Sequence, residues 1–458
     1  MSKLKIYSED LNVLDAARKR VKYTFDNFES IYLSFSGGKD SSVMFHLAME
    51  EAIKRDRIIG ILIVDLEAQY TSTISHINEM LDMYEKNIEV FWVCLPISLR
   101  NAVSNYQPKW TAWGEDNKDV WVREKPKRNG VISKSNQLPF FYDDMEFEEF
   151  IILFGDWYNK DDETACMVGI RCDESLNRFR TIASKVKERH NDKAYTTKVI
   201  DGLYNVYPIY DWKTEDIWRY HSKYPQMPHN VVYDQMHKAG VKISQQRLCQ
   251  PYGDDQRRGL WLYHLLEPDT WYKLIARVNG VNSGALYIQE NGNITGYNKI
   301  YKPENHTWKS FCKLLLRTMP KKTRDHYIER FIKFIAGWKR RGYEIIPDEA
   351  PLELENKYWA PSWRRLCKVL LRNDYWCKGL GMTQPKSEAY KKYIELKKCE
   401  KKKDMDTKKQ LIKEANKKKE YIICKSKEEA KEMLRLSKKL NLNILPPKPL
   451  EIKQGEMF

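Results

Sequence analysis

The sequence predicts an α/β fold, a doubly wound and mostly parallel sheet, followed by a mainly helical region. Three observations carry this. First, the apolar run Ile31-Tyr32-Leu33 leads through Ser34-Phe35-Ser36-Gly37-Gly38-Lys39-Asp40-Ser41-Ser42 into an apolar-periodic segment (Val43, Met44, Leu47, Ala48, Ala52, Ile53). That reads strand, tight turn, helix. Second, two more apolar runs follow, residues 58–64, with the character of a buried parallel strand, and residues 88–95, interrupted by Glu89. Third, residues 72–86 between them place Ile74, Ile77, Met80, Leu81 and Tyr84 at helical spacing. Strand–helix–strand repeats of this length build a parallel sheet.

The remaining elements follow in order. Residues 10–27 form an amphipathic helix, with Leu11, Leu14, Ala17, Val21 and Phe25 on one face. Residues 97–163 break the rhythm with Trp110, Trp113, Trp121 and Trp157 and with acidic Asp143, Asp144, Glu146, Glu148 and Glu149. They are expected as an insertion over the ligand end of the sheet, either a lid or substrate wall or a satellite core. The sheet resumes at 164–170, a helix spans about 174–189, and the segment 206–212 follows before a short helix. Thr214 is expected to cap the next helix, with Glu215 and Asp216 in its first turn. From about 229 the chain is helical and aromatic, with a hairpin over 279–298 and helices over 308–341 and 361–372. Pro385 marks a boundary, and 386–440 is Lys-rich with sparse apolar positions. The expected domains are 1–230, 231–385 and a helical or flexible tail, 386–458.

Composition narrows the class. The 458 residues are 42% hydrophobic, enough for a real core. No apolar run approaches the roughly 20 residues of a membrane helix. Met1-Ser2-Lys3-Leu4-Lys5-Ile6 lacks the apolar stretch of a secretory signal. Nine cysteines, an odd number without a Cys-x-x-Cys pair, suit a reducing cytoplasm and argue against a zinc ribbon. Net charge is +16, and residues 386–458 carry 22 Lys/Arg against 12 Asp/Glu. Such a tail is either a solvated helix or a surface for DNA or RNA. Trp308-Lys309, Trp338-Lys339-Arg340-Arg341, Trp363-Arg364-Arg365 and Trp376-Cys377-Lys378 add basic–aromatic interleaving, read either as core with a solvated rim or as base-stacking sites.

The Gly-Gly turn is the strongest chemical signal. Gly37 and Gly38 let backbone approach a phosphate, and the helix start aims free N–H groups at it. Ser36, Ser41 and Ser42 add hydroxyl donors and Lys39 a cation. The spacing is not that of Walker A. Ser34, Ser36, Gly37, Gly38, Lys39, Asp40, Ser41 and Ser42 are candidate nucleotide ligands. At the next strand end Asp65 is a candidate for a ribose hydroxyl or Mg2+, with Glu67 beside it. Asp40 is read as a metal ligand or a cap on the loop's own amides. At 169–178, Arg171 and Arg178 can clamp phosphate or sulfate oxygens, with Gly169 at the turn and Glu174 and Ser175 orienting. Arg247, Gln256 and Arg257 are candidate ligands for a phosphorylated substrate. Cys249 is either a nucleophile activated by neighbouring arginines or a packing residue.

Ser36-Gly37-Gly38-Lys39-Asp40-Ser41 resembles the PP-loop of the adenine nucleotide alpha hydrolase superfamily. Its members cleave ATP between the α and β phosphates or bind sulfonucleotides. Gly169-x-Arg171-x-x-Glu174-Ser175-x-x-Arg178 and the stretch Pro208 to Trp218 resemble motifs of the phosphoadenosine phosphosulfate (PAPS) reductase family, as do Tyr233-Asp234, Gly240-Val241 and Cys249. That family's C-terminal Glu-Cys-Gly-Leu/Ile-His motif is missing. So are the paired cysteines of its iron–sulfur branch, and Asp65-Leu66-Glu67 stands where the family has Asp-Thr-Gly. No iron–sulfur cluster is expected. The block from Arg247 to Leu260 resembles a branch without the redox cysteine, encoded beside a ParB-like partner.

The resemblance implies an enzyme acting at the α-phosphate of ATP or a related adenine nucleotide, with Mg2+ and pyrophosphate release. Lys39, Asp40, Asp65, Arg171 and Arg178 are the candidate catalytic residues, and Asp40 and Asp65 the metal ligands. The alternatives are a sulfonucleotide (PAPS) reductase using Cys249, and a nucleotide-sensing, DNA-binding regulator.

Overall fold

The computed structural model describes residues 11–449, apart from 105, 160–162, 184–186, 244–245, 254–259, 282–299, 385 and 425–426. It divides into two compact units, Met1–Gln384 and Pro385–Phe458. In the first, α1 (Val13–Asn27) starts later than the apolar pattern, because Asn12 Oδ1 accepts from the amides of Leu14 and Asp15 at 3.0 Å each.

The central strand β1 (Ser30–Ser34) leads into α2 (Lys39–Lys54), then β2 (Ile59–Val64), α3 (Thr71–Met83) and β3 (Ile88–Val93). All three strands are mutually parallel. β2 is buried almost throughout, which is why it reads as an unbroken apolar run. On β1, Tyr32 packs on one side against Phe154 and Tyr158, with ring centroids 5.4 and 5.1 Å away.

The expected insertion has two fates. β4 (Ile97–Arg100) and β5 (Lys109–Ala112) form a separate antiparallel pair. Further on, β6 (Val131–Ile132) joins the edge of the main sheet, and α4 (Phe147–Tyr158) returns the chain to β7 (Thr164–Val168). Two-residue β6 has no periodicity to read. Trp110 and Trp113 are buried, so they act as core.

A hairpin closes the far edge: β8 (Thr196–Ile200) and β9 (Leu203–Val206) pair antiparallel across Asp201-Gly202, with Gly202 at φ +77°. The seven-stranded order is β6-β3-β2-β1-β7-β9-β8. β9 ends at Val206, two residues before Pro208, which has no N–H for a ladder. The helix expected over 174–189 is shorter: a 3₁₀ turn at Cys172–Glu174, then α5 (Leu176–Ala183). The cap of α6 (Thr214–Lys223) is Lys213 rather than Thr214, and Asp216 accepts from the Lys213 amide at 2.9 Å.

Helices α7 (Val232–Lys238), α8 (Trp261–Leu266) and α9 (Pro268–Arg277) follow. The expected hairpin at 279–298 lies almost wholly outside the described residues. The helix expected over 308–341 breaks at Pro320 into α10 (Trp308–Thr318) and α11 (Lys321–Lys339). They share a core with α13 (Trp363–Leu371), after the short α12 (Leu352–Asn356). That core contains Trp308 and Trp338, and Trp376 is buried as well. These tryptophans are therefore packing residues, not exposed stacking platforms.

In the second unit, α14 (Glu388–Lys418) and α15 (Lys427–Lys439) join the parallel pair β10 (Ile423–Cys424) and β11 (Lys448–Pro449). The sparse apolar positions converge there: Ile412, Ala415, Ile422, Cys424, Ala430 and Met433 form one small core. Among the described residues no helix is long and apolar enough to cross a membrane.

Candidate nucleotide site

β1 sits between β2 and β7, so the winding of the sheet reverses beside β1. Open α/β sheets bind ligands outside the carboxyl ends of strands at such a reversal. The Gly-Gly loop is there. Gly37 has φ +70°, and a Cβ on it would lie 2.9 Å from Thr73 Cγ2. Asn230 Nδ2 donates to Gly37 O at 2.9 Å, which pins the turn. The Ser41 and Ser42 hydroxyls both return to Gly38 O at 3.0 Å. Ser36 Oγ lies 3.1 Å from Ser41 Oγ, and Ser42 Oγ 2.7 Å from His76 Nε2. Tyr233 Oη accepts from the Lys39 amide at 3.1 Å. Tyr233 thus reaches the helix start that would receive an anion; in the sequence only the family resemblance pointed to it.

The charges cluster at this point. Lys39 is buried, which lowers its pKa; Asp40 opposes that shift, while Arg171 and Arg247 add to it. Its Nζ lies 3.3 Å from Asp40 Oδ2 and donates to Gln246 O at 3.3 Å. Arg171 is 2% exposed, and its Nε donates to Asp40 Oδ1 at 2.5 Å. Glu174 accepts from the Arg171 amide at 3.2 Å and pairs with Arg178. Ser175 Oγ accepts from the Arg178 amide at 3.2 Å. Arg247 Nη2 donates to Glu174 O at 2.5 Å. Lys39, Asp40, Arg171, Glu174, Arg178 and Arg247 are therefore one contiguous group. Gln256 and Arg257 lie outside the described residues.

Gly169 lets the β7 turn approach α2. A Cβ there would stand 3.0 Å from Ser41 Cα and 3.1 Å from the Asp40 carbonyl carbon. Backbone at that distance cannot yield cheaply. Gly169→Ala is expected to weaken nucleotide binding at least about tenfold while the protein stays folded. Calorimetric titration with ATP checks this, and unchanged affinity would show that the contact is slack.

Asp65 and Glu67 behave differently from expectation. Both carboxylates are fully buried and satisfied inside the protein. Asp65 pairs with Arg123 and accepts from Trp92 Nε1 at 2.7 Å and from the Glu67 amide at 2.9 Å. Glu67, at φ +62°, accepts from Arg277 Nε at 2.7 Å and from the amides of Trp113 and Val122 at 2.8 and 3.0 Å. Asp40 is also engaged, by Arg171 and Lys39. Among the described residues no three His, Cys, Asp or Glu side chains converge. This donor set does not fit a protein-held magnesium ion, which takes carboxylates free to coordinate it.

Beside the loop lies a cavity of about 140 Å³. Ser34, Phe35 and Ser36 bound it from the end of β1, and Ile63, Val64 and Leu66 from the end of β2. Its other wall includes Leu248, Cys249, Gln250 and Tyr263. Tyr263 stacks on Tyr70, ring centroids 3.9 Å apart and planes within 2°. Glu267 then caps α3, accepting from the amides of Thr71 and Ser72 at 3.0 and 3.3 Å. Among the cysteines only Cys249 lines the cavity.

Three buried histidines support α2 and α6. Burial lowers His46 to about 4, His76 to about 3 and His221 to about 4. Their ordinary value in the unfolded chain is near 6.5. The unfolded chain therefore takes up protons first as pH falls. Their stabilising contribution is complete above about pH 6.5 and declines as pH drops toward 4. Denaturant melts across that window should show the decline, and His46→Gln should flatten it; identical profiles would remove His46 from the effect.

An open α/β sheet with an anion-binding loop at its switch point defines a class of nucleotide-binding domain. Residues 30–242 match the phosphoadenosine phosphosulfate reductase domain, and residues 240–358 match a domain of unknown function (DUF3440). The chain belongs to the family of the uncharacterized protein YbdN of Escherichia coli (strain K12), to which it is 41% identical over 388 residues, 84% of this chain and 94% of that one. It is also similar, at 12% identity and a TM-score of 0.28, to PAPS reductase from Candida auris in a phosphate complex, over 50% of this chain and 94% of that one. A further similar structure is NMN synthetase from Francisella tularensis, with 14% identity and a TM-score of 0.28, over 65% of this chain and all of that one.

Proposed function

We propose that the protein is an enzyme acting at the α-phosphate of ATP or a related adenine nucleotide, with pyrophosphate as leaving group. The observation that carries this is the convergence of Lys39, Arg171 and Arg247 at the start of α2, beside an apolar cavity between the ends of β1 and β2. The base enters the cavity, where Ile63, Val64 and Leu66 exclude water. The phosphates meet the Gly37–Gly38 backbone and the Ser36 and Ser41 hydroxyls. Lys39 then leaves Gln246 O, and Tyr233 Oη yields the Lys39 amide. An acceptor oxygen attacks the α-phosphorus, and the α–β bond breaks with its electrons on pyrophosphate. Lys39 and Arg171 balance that growing charge, and Asp40 holds Arg171 in place. Water as acceptor gives AMP. A cytoplasmic setting belongs to this reading, since nine cysteines, an odd number, suit a reducing compartment.

The test is incubation of the purified protein with α-labelled ATP, following AMP, pyrophosphate and transferred label. The expected result is pyrophosphate formation that Lys39→Ala abolishes. Tight binding without turnover would overturn the proposal in favour of nucleotide sensing.

Cys249 favours a second reading, sulfonucleotide reduction, because it lines the cavity. Its thiolate would attack the sulfur of a phosphosulfate, forming a Cys–S–sulfonate and expelling the nucleotide phosphate. One external thiol would then attack the Cys249 sulfur, releasing sulfite and leaving a mixed disulfide, and a second external thiol would resolve that disulfide, leaving with the first as an oxidised disulfide and regenerating the cysteine. Under this reading Cys249→Ser removes thiol-dependent sulfite release entirely. Under the first reading it leaves pyrophosphate formation within about threefold, since a packing thiol replaced by a hydroxyl disturbs little.

A further inference from the structure

We propose that the helical region binds a single nucleic-acid strand along α10, with Trp359 as a stacking platform. Residues 300–381 carry 18 Lys/Arg against 9 Asp/Glu, whereas residues 1–299 carry 39 against 42. The basic excess of the first unit is thus confined to its helical part. From 305 to 324 there are six cations and no carboxylate. Trp308, Cys312 and Met319 turn α10 toward the core. Lys309, Lys313 and Arg317, four residues apart, share an exposed face. The helical rise spaces them in steps of about 6 Å, forming a ridge that can follow a phosphodiester backbone. Lys321 pairs with Asp325. Among the described residues no ion pair engages Lys309, Lys313, Arg317 or Lys322.

Aromatic surface lies at the start of this ridge. Asp348 accepts from the amides of Trp308 and Lys309 at 2.9 and 2.8 Å, so the segment leading to Trp359 begins at that end of α10. Arg364, five residues past Trp359, donates its amide to Asp348 O at 3.1 Å and brings the chain back. Trp359 is 65% exposed, and Tyr358 before it is 51% exposed. Lys357 Nζ stands 5.0 Å from the Trp359 ring, and Lys309 Nζ 5.6 Å from that of half-buried Trp363. Cations that track phosphates beside an open aromatic ring are what an unpaired strand requires, since its bases are free to stack. A duplex hides those base faces.

The test is fluorescence anisotropy on the full chain with short labelled single-stranded DNA, the same sequence as RNA, duplex DNA, and vesicles of anionic phospholipid, each across a salt series. Both single strands should bind more tightly than the duplex, and their ratio tells DNA from RNA. The triple variant Lys309→Ala, Lys313→Ala, Arg317→Ala should lose at least about tenfold in affinity. Its slope of log affinity against log salt should flatten by about 2, near 0.7 per lost phosphate contact. Trp359→Ala should lose about fivefold or more with the slope unchanged. Lys402→Ala, Lys403→Ala, Lys409→Ala in α14 is the charge-matched control and should bind as the parent does. Circular dichroism confirms that each variant is folded. The proposal falls if the α10 triple binds normally, if the α14 triple carries the loss, if duplex binds as well as single strands, or if only vesicles bind.

Discussion

Arg277→Met is expected to destabilise the Met1–Gln384 unit by about 3–5 kcal/mol, because it leaves the Glu67 carboxylate charged and unpaired in a dry interior. The pair is almost completely buried, 2% and 0% exposed on the two sides. Arg277 Nη2 also donates to Thr111 O at 2.6 Å, so the same substitution frees the β5 backbone. Urea unfolding at neutral pH measures the loss. Combining Arg277→Met with Glu67→Gln should recover part of it, since removing both charges removes the desolvation cost. A loss below about 1 kcal/mol for the single variant would mean that water reaches the pair.

Arg171→Ala is expected to lower the rate of pyrophosphate formation by about 10²–10³, the usual loss when one donor aimed at developing charge is removed. The effect should fall mainly on kcat, because Lys39 and Arg247 remain to bind the ground-state phosphates. Asp40→Asn should give a smaller loss, through misorientation of Arg171 rather than its absence. Steady-state kinetics of both variants separate the two roles. A drop of less than threefold for Arg171→Ala would take Arg171 out of the charge-balancing step, and Lys39 alone would have to carry it.

The parts of this fold that the sequence exposes are those whose signal is local. β1, β2 and β7 are buried through their middles and therefore mostly apolar, whereas β3 is broken by exposed Glu89 and buried only toward its end. The Gly-Gly turn needs φ > 0 at Gly37. The β8–β9 hairpin is equally local, since Asp201-Gly202 between two β-rich runs is a turn signal. Asp65 and Glu67 stand at a strand end, where the sequence reads as a ligand position, but their partners Arg123 and Arg277 lie 58 and 210 residues away in the chain. No spacing rule connects such residues. The buried tryptophans of the basic–aromatic pairs show the same limit: the pairing is visible in the sequence, but which member faces solvent is set by the packing of α10, α11 and α13.

Modularity is constrained by the ties made by Tyr263, Glu267 and Arg277. The reductase-like segment stops near residue 242, and a gene fragment cut there would look like a tidy cassette. Such a fragment would strip the stacking partner from Tyr70, the cap from α3 and the counter-ion from Glu67 in one stroke. Grafting a foreign C-terminal half would do the same unless it replaced all three. Further on, Asn373 Nδ2 donates to Ala102 O at 3.2 Å, so recombination, expression of fragments and domain swapping find a permissible breakpoint near residue 385, where the first compact unit ends.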